Sequence, residues 1–278
     1  MNTHPSILVF LADLHVGGTS GLMPPRFITF EGNEVRPNEY QKWTWKGWKK
    51  AWKWAREIIG KDEWAAVAVG DLTDGLHHME NGNRELWSLA NDDHAGGAID
   101  VLKDVLKDAS EVFISEGTHC HTRYSEHGIA GALSVNGINV VKPSKQQSAW
   151  PELDVKVNGA LALIDHHIST TSRSYSESSA YSATLADVRN RRSRAGLECP
   201  KLIVRAHRHQ YGCWDDGYST LVVLPPWQGQ TRFTHRVVPR IVPQCGLVIA
   251  DFRNVPYGEQ PVIQKCIYTY KPAPPNVL

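Results

Sequence analysis

Residues 6–15 read SILVFLADLH: a mostly apolar run of seven residues, followed by an aspartate and a histidine two positions apart. A short, uninterrupted run rich in aliphatic and β-branched side chains predicts a buried strand. Side chains that follow such a strand lie at the edge of its sheet, where the ligand sites of α/β proteins form. The stretch therefore predicts a sheet with a polar site at its edge.

Nine further runs have the same apolar character. They are WAAVAV (64–69), EVFISE (111–116), INVVK (138–142), ALALID (160–165), KLIVRA (201–206), STLVVL (219–224), RVVPRIV (236–242), GLVIADF (246–252) and PVIQKCIYTY (261–270). Amphipathic helical patterns occupy 41–59, 95–109 and 179–196, and the first places Trp45, Trp48, Trp52, Ala55 and Ile59 on one face. Strands that alternate with helices and then give way to a β-rich last third predict an α/β fold with a mixed sheet.

The composition is that of a globular chain with a large core. The 278 residues are 41% hydrophobic and show no break in composition, so we expect one domain over 1–278. Its β-rich part covers 210–270, and a Pro-rich tail covers 271–278. The net charge of +1 gives no bulk electrostatic reason for a nucleic-acid or membrane partner. Evidence for such a partner would therefore have to come from local basic patches.

The cysteine pattern and the lengths of the apolar runs limit the cellular compartment and the partners that we expect. Five cysteines without a C-x-x-C pair argue against a disulfide framework and a structural zinc knuckle. The longest N-terminal apolar run has six residues, too few for a signal peptide or a membrane span. We therefore expect a cytoplasmic protein with no membrane partner, and the sequence leaves its oligomeric state open.

Four more predicted strands end in the same kind of side chain. The segments are Gly70–Gly75 (GDLTDG), Gly117–His121 (GTHCH), Asp165–His167 (DHH) and Ala206–His209 (AHRH). Each segment alone has a common structural explanation, since an Asp-Gly pair or an Asp-x-His often belongs to a turn or cap. Carboxylates and imidazoles behind five strands together predict a polynuclear metal site.

The order of these motifs resembles the calcineurin-like metallophosphoesterase superfamily, whose signature runs Asp-x-His, Gly-Asp-x-x-Asp, Gly-Asn-His-Asp/Glu, His, Gly-His-x-His. The resemblance covers 13–209, and GDLTDGLHH (70–78) with the Trp-rich first helix is most like phosphoesterases encoded by phages and prophages. It implies a sandwich of two mixed β-sheets flanked by helices. It also implies a hydrolase in which a hydroxide bridging two metals attacks a phosphoester, in the host cytoplasm if the gene belongs to a phage.

Position by position, the resemblance implies a ligand set for each metal. The first metal would be held by Asp13, His15, Asp71 and His209. The second would share Asp71 and add His166 and His207. Asp74 is implied to orient its turn, and His167 would replace His166 if that side chain pointed away.

The third motif departs from the family. Thr118 stands where the family has an asparagine ligand of the second metal, so Thr118 coordinates weakly, His121 replaces it, or water does. His119 aligns with the histidine that protonates the leaving group, and the roles of His119 and His121 are exchangeable. Arg123 is a candidate phosphate clamp, whereas Cys120 is expected to pack.

The implied cofactors are two divalent ions, Mn²⁺ first, with Fe, Zn, Co or Ni as alternatives, because mixed Asp/His sites suit these metals. The favoured substrate is a phosphodiester in a nucleic acid or nucleotide. Its support is local: an aromatic–basic helix face (Trp43, Lys46, Lys50, Trp54) and the run RNRRSR (189–194). The first patch has a simpler explanation as an amphipathic helix whose lysine stems cover its edges, and the second as a solvated helix face. A phosphomonoesterase acting on a phosphoprotein or small metabolite, and a metal-binding scaffold without catalysis, are the alternatives.

Overall fold

Two five-stranded sheets form the centre of the computed structural model, which describes residues 5–76, 85–122, 125–168, 177–237 and 242–271. Its strands are β1 (Ile7–Leu11), β2 (Phe27–Ile28), β3 (Glu34–Val35), β4 (Ala65–Val69), β5 (Glu111–Ser115), β6 (Leu153–Val157), β7 (Ala160–Ile164), β8 (Leu202–Arg205), β9 (Gly212–Asp215), β10 (Thr220–Val223), β11 (Gln244–Asp251) and β12 (Val262–Thr269). Its helices are α1 (Glu39–Ile59), α2 (Asn91–Leu106), α3 (His119–Thr122), α4 (Ser125–Val135), α5 (Glu177–Arg194) and α6 (Arg232–Val237).

Both large sheets are mixed. The first has the order β12-β11-β1-β4-β5 and the second the order β6-β7-β8-β10-β9, while β2 and β3 form a separate hairpin. Strands β1, β4 and β5 are parallel to one another, as are β7, β8 and β10. The other pairings of the two large sheets are antiparallel. Each sheet therefore sends the carboxyl ends of three neighbouring strands to one edge.

Alternate side chains along each central strand point to opposite faces of its sheet and so contribute to two different hydrophobic layers. In β1, Leu8 and Phe10 pack into the core between the two sheets, whereas Ile7, Val9 and Leu11 pack into the core beneath helices α1, α2 and α4. A third cluster joins α5 to the outer face of the second sheet. The chain is thus an α/β sandwich of two mixed sheets flanked by helices, and the predicted fold class is confirmed.

Helix α1 begins where its sequence provides a cap. The Asn38 side chain accepts from the Gln41 backbone N–H at 2.9 Å, and the Gln41 side chain accepts from the Asn38 backbone N–H at 3.1 Å. Trp48 and Trp52 are buried as predicted, while Trp45 is only half-buried. Trp43 and Trp54 also pack against the core, so the indoles considered for base stacking have a structural use.

Two predicted strands differ from the structure. In the predicted strand 236–242, residues 236–237 belong to α6 instead, and 238–241 lie outside the described residues. In 138–142, only Val140 makes an isolated bridge, to Val112. Prolines in and after the first run (Pro239, Pro243) and the short length of the second explain the difference, because proline cannot donate to a strand ladder.

None of the described helices is long and apolar enough to cross a membrane.

Candidate metal centre

The loops after β1, β4, β5, β7 and β8 meet at one edge of the sandwich. The β1 loop is bound to the β4 loop through Asp13 N–H to Gly70 O at 3.1 Å and His15 N–H to Asp71 O at 3.0 Å. The Ala206 N–H of the β8 loop donates to His166 O of the β7 loop at 2.9 Å. Parallel neighbours end at the same edge, so these loops bring the predicted ligands together.

Backbone strain is concentrated at the predicted ligands. Six non-glycine residues of the described chain have positive φ, and five of them are Asp13 (52°), His15 (44°), Asp71 (50°), His207 (70°) and His209 (54°). Each such residue costs on the order of 1–3 kcal/mol and persists only where the surroundings enforce it. Strain of this kind clusters at functional sites, and here it aims carboxylates and imidazoles inward.

Asp13, His15 and His209 form the first group of potential ligands. His209 Nε2 lies 3.3 Å from Asp13 Oδ1 and 3.2 Å from His15 Nε2. Asp13 Oδ1 is buried and accepts no hydrogen bond from the described residues. A buried oxygen without a donor, facing imidazole nitrogens at this distance, fits a divalent cation among these atoms.

Asp71, His166 and His207 form the second group. His166 Nε2 lies 3.1 Å from Asp71 Oδ2, and the same oxygen is 3.7 Å from His15 Nε2 in the first group. The Thr118 hydroxyl donates to Asp71 Oδ2 at 3.1 Å, and its oxygen is 3.0 Å from His207 Nδ1. Asp71 therefore lies between the groups, where a bridging ligand would be.

Hydrogen bonds fix which imidazole nitrogen faces the centre. His166 Nδ1–H donates to Val69 O at 2.9 Å, and His15 Nδ1–H donates to Asp74 Oδ1 at 2.9 Å. In each neutral ring, Nε2 is then left unprotonated and free to coordinate. Because His166 points inward, His167 is not needed as its replacement; His167 is exposed, with its ring centroid 5.3 Å from that of His207.

The two histidines of the GTHCH segment lie in different environments. His119 is exposed at the start of α3. His121 Nδ1–H donates to Asp74 O at 3.0 Å, and its ring meets that of His15 edge-on at 4.8 Å. His121 therefore lies on the His15 side, whereas Thr118 has the placement expected of a second-metal ligand. Arg123 lies outside the described residues.

The predicted loop 224–233 after β10, in which Trp227 is a candidate either to line the cleft or to pack, also reaches the site. Gln228 Nε2 donates to Asp74 Oδ1 at 3.3 Å, and Trp227 N–H donates to Asp13 O at 2.9 Å. The Trp227 side chain is buried against Trp48 and so packs rather than lining the cleft. Gln228 could have been predicted as part of the site, because STLVVL (219–224) is a predicted strand and its carboxyl end reaches the same edge.

Charge compensation in the centre depends on protons when no metal is bound. Burial lowers the pKa of His166, but the Asp71 carboxylate more than offsets this and raises it to about 10. Burial, reinforced by the neighbouring His166, lowers the pKa of His207 to about 4. Burial also raises the pKa of Asp71, but His166 and His15 outweigh it and hold that pKa well below its usual range. The Asp71 carboxylate is thus ionised and requires a cation beside it.

The arginine run 189–194 lies on α5, where most of it is paired. Arg192 makes a bidentate contact with Asp154, Arg189 pairs with Asp216, and Arg191 pairs with Asp187. Arg192 and Arg189 join α5 to the second sheet, and Arg191 pairs with a residue one turn earlier in α5 itself. They are structural here, and they do not form a free patch at the centre.

Comparison with known proteins gives similarities among solved structures only. No family model and no curated protein matches the chain. A novel archaeal phosphodiesterase is 9% identical, with 94% of this chain and 99% of that chain covered, at a TM-score of 0.46. Vps29 from Chaetomium thermophilum is 10% identical over 95% of this chain and 98% of that one, at 0.39. Wild-type Vps29 from Entamoeba histolytica, solved in complex with Zn²⁺, has the same identity, coverage and TM-score.

Replacing Gly117 by alanine should displace Asp71. A Cβ at position 117 would lie 2.2 Å from Asp71 N and 2.3 Å from Asp71 Oδ1, closer than real contacts allow. We expect Gly117→Ala to weaken Mn²⁺ binding about 10- to 100-fold, as measured by calorimetric titration of the metal-free protein. Gly128→Ala, on α4 with no atom within 4 Å of the added Cβ, is the control and should bind metal normally. Equal affinities in both variants would contradict this role of Gly117.

Metal binding should release protons near neutral pH. In the metal-free protein His166 is protonated below a pKa of about 10, and a coordinating Nε2 must be unprotonated. We therefore expect Mn²⁺ affinity to increase as pH rises from about 6 to about 9. Calorimetry at pH 7.5 in buffers of different ionisation enthalpy measures the protons released. His166→Gln should release fewer protons, and an unchanged number would show that they come from elsewhere.

Proposed function

We propose that this chain is a metal-dependent phosphoesterase that holds two divalent ions and hydrolyses a phosphodiester. The observation that carries the proposal is the convergence of Asp13 and Asp71 with four imidazoles at the edge where strands of both sheets end. Asp71 Oδ2 lies within 4 Å of one imidazole from each group. A shared carboxylate between two nitrogen-rich groups is the ligand arrangement of a dinuclear hydrolytic site.

The donor atoms favour certain metals. Imidazole nitrogens with carboxylate and hydroxyl oxygens suit Mn²⁺, Fe²⁺, Zn²⁺, Co²⁺ or Ni²⁺, whereas Mg²⁺ and Ca²⁺ prefer oxygen-only shells. Asp13, His15, Asp71 and His209 would hold one ion, and Asp71, Thr118, His166 and His207 the other. When bound, such ions polarise phosphoryl oxygens and lower the pKa of water to about 7.

The remaining residues of the centre position these ligands or face solvent. Asp74 accepts a hydrogen bond from His15 Nδ1–H and so orients the His15 ring. Gln228, from the loop after β10, donates to the same Asp74 oxygen and restrains that carboxylate. Exposed His119 is accessible to a substrate and would donate a proton to the leaving oxygen. His121, held by the Asp74 carbonyl, would support the His15 side of the centre.

Preference for a diester is supported by the motif resemblance and by the basic helix α1. The arginine run on α5 gives little support, since three of its four guanidinium groups are paired with carboxylates. Nucleic acid or a nucleotide is the proposed substrate class, because a basic surface beside the centre would bind further phosphates.

Metal content and turnover test the proposal together. We expect two metals per chain by elemental analysis and Mn²⁺-dependent hydrolysis of bis-p-nitrophenyl phosphate in preference to p-nitrophenyl phosphate. Asp71→Asn should lower turnover by more than about 100-fold because it removes the shared charge. Asp187→Asn, the same chemical change on exposed α5, should leave it unchanged.

Three outcomes would replace the proposal by another. Turnover that survives complete removal of metal would exclude a metal-dependent reaction. A preference for the monoester would indicate a phosphomonoesterase. Two bound metals without turnover on either ester would indicate a scaffold that has lost catalysis.

Alanine variants of the two GTHCH histidines separate their roles. We expect His119→Ala to lower kcat by about 10²–10⁴ with metal content unchanged, since an exposed proton donor is not one of the buried metal ligands. His121→Ala should lower metal content as well, because its ring packs on His15. Exposed His235 on α6 provides a control variant, His235→Ala. Full activity in His119→Ala combined with loss of activity and normal metal content in His121→Ala would exchange the two roles.

A further inference from the structure

One helix of this chain has a large net positive charge. Helix α1 carries six Lys or Arg residues and two Glu residues, a net charge of +4, whereas the whole chain has +1. The rest of the molecule is therefore net negative. A nearly neutral protein with one strongly basic helix has a local field that its bulk charge conceals.

The lysines of α1 form one continuous surface. Lys42, Lys46, Lys49, Lys50 and Lys53 are all exposed and follow one another at helical spacing, and we call them the lysine stripe. The stripe is about 16 Å long at the helical rise of about 1.5 Å per residue. Trp43 and Trp54 lie half-buried along its margin and pack against the core. The stripe thus offers charge rather than free aromatic faces.

The central lysines of the stripe form no close ion pair among the described residues, unlike those at its two ends. Lys42 pairs with Glu39 and Lys53 with Glu57 at the two ends. Within the described part of the chain, no carboxylate forms an ion pair with Lys46, Lys49 or Lys50. This contrasts with the α5 arginines, most of which are paired.

The stripe begins beside the metal centre. Tyr40, in the first turn of α1, packs against Gly229, where an added Cβ would lie 2.5 Å from its ring. Gly229 N–H donates to Ser20 O at 2.8 Å, and its neighbour Gln228 contacts Asp74 of the centre. The Gln41 side chain donates to Gly18 O at 3.1 Å, three residues after His15, so the first turn of α1 lies at the carboxyl edge and the stripe leads away from there.

We propose that the lysine stripe binds the phosphate backbone of a nucleic acid strand whose scissile phosphodiester lies at the metal centre. The inference rests on the proposed function and names its substrate as a polymer. A strand along the stripe would place several phosphates near unpaired lysines, since duplex phosphates recur about every 3.4 Å per strand. Binding would be independent of base sequence, because lysines contact phosphates and the neighbouring indoles are packed.

An anionic membrane is the less favoured partner. A helix that binds the membrane interface inserts an apolar face into the lipid. The apolar face of α1, including Trp48, Ala51 and Trp52, is buried against the first sheet. The stripe therefore has charge for a surface but no apolar residues to insert.

Salt dependence of binding tests the stripe. The triple variant Lys46→Gln, Lys49→Gln, Lys50→Gln is compared with the parent by fluorescence anisotropy on a labelled 20-mer, single-stranded and duplex, in EDTA to prevent cleavage. We expect the parent's log Kd to depend linearly on log salt between about 50 and about 200 mM. Each lysine that neutralises a duplex phosphate contributes about 0.9 to this slope, so the variant's slope should be smaller by about 2 to 3.

A matched triple removes the same charge elsewhere. Lys142→Gln, Lys145→Gln and Arg194→Gln alter exposed residues that likewise form no ion pair among the described residues, and they should leave the slope at the parent's value. Equal slopes in the parent and the stripe variant would overturn the proposal. So would stripe-dependent binding to vesicles with anionic lipid in the absence of oligonucleotide binding.

Turnover of the small diester distinguishes this proposal from the proposed function. Bis-p-nitrophenyl phosphate is too small to reach the stripe, so the stripe variant should hydrolyse it within about twofold of the parent's rate while its nucleic acid binding is weakened. If neither protein hydrolyses the probe but the stripe still binds oligonucleotide, the proposed chemistry fails and the binding surface remains.

Discussion

Two carboxylates buried at the meeting point of five loops impose the main constraint on this molecule. Asp13 and Asp71 are 0% and 1% exposed, and a buried charge is tolerated only beside an opposite one. The surrounding imidazoles provide this compensation when they are protonated, whereas a bound metal ion would supply the positive charge itself and be held by the neutral imidazoles. The loops that carry these imidazoles must therefore approach closely, and the mixed sheets beneath them provide parallel strand ends from which to do so.

Close approach requires an unusual backbone. Five candidate ligands adopt left-handed conformations, and Gly70 and Gly117 lie where a Cβ would collide with His166 and Asp71 respectively. The well-packed sandwich maintains these conformations, because hydrogen bonds between the loops leave little room for relaxation. Stability gained in the apolar layers thus offsets strain at the edge, as expected for a site that must be preorganised.

Basic segments on opposite halves of the sandwich show how context decides the use of charge. The α5 arginines contact Asp154, Asp187 and Asp216 and anchor a helix whose buried face is small, with Tyr181 and Leu185 as its buried residues. Helix α1 is already held by its tryptophans, so its central lysines have no structural task of this kind. Two charge runs that look alike in sequence therefore differ in the function that they leave available.

The sequence by itself determined the α/β class, most strands and the set of candidate ligands, because apolar runs and the polar residues that end them are local features. Edge strands β6 and β9 were missed because they are short and partly exposed, and their patterns are weak. Tertiary structure alone decided that Thr118 faces His207 while His121 faces Asp74. It also decided that Gln228 restrains Asp74, a contact across 154 residues of chain. Such contacts depend on which loops the sheets bring together, and no local pattern in the chain records that geometry.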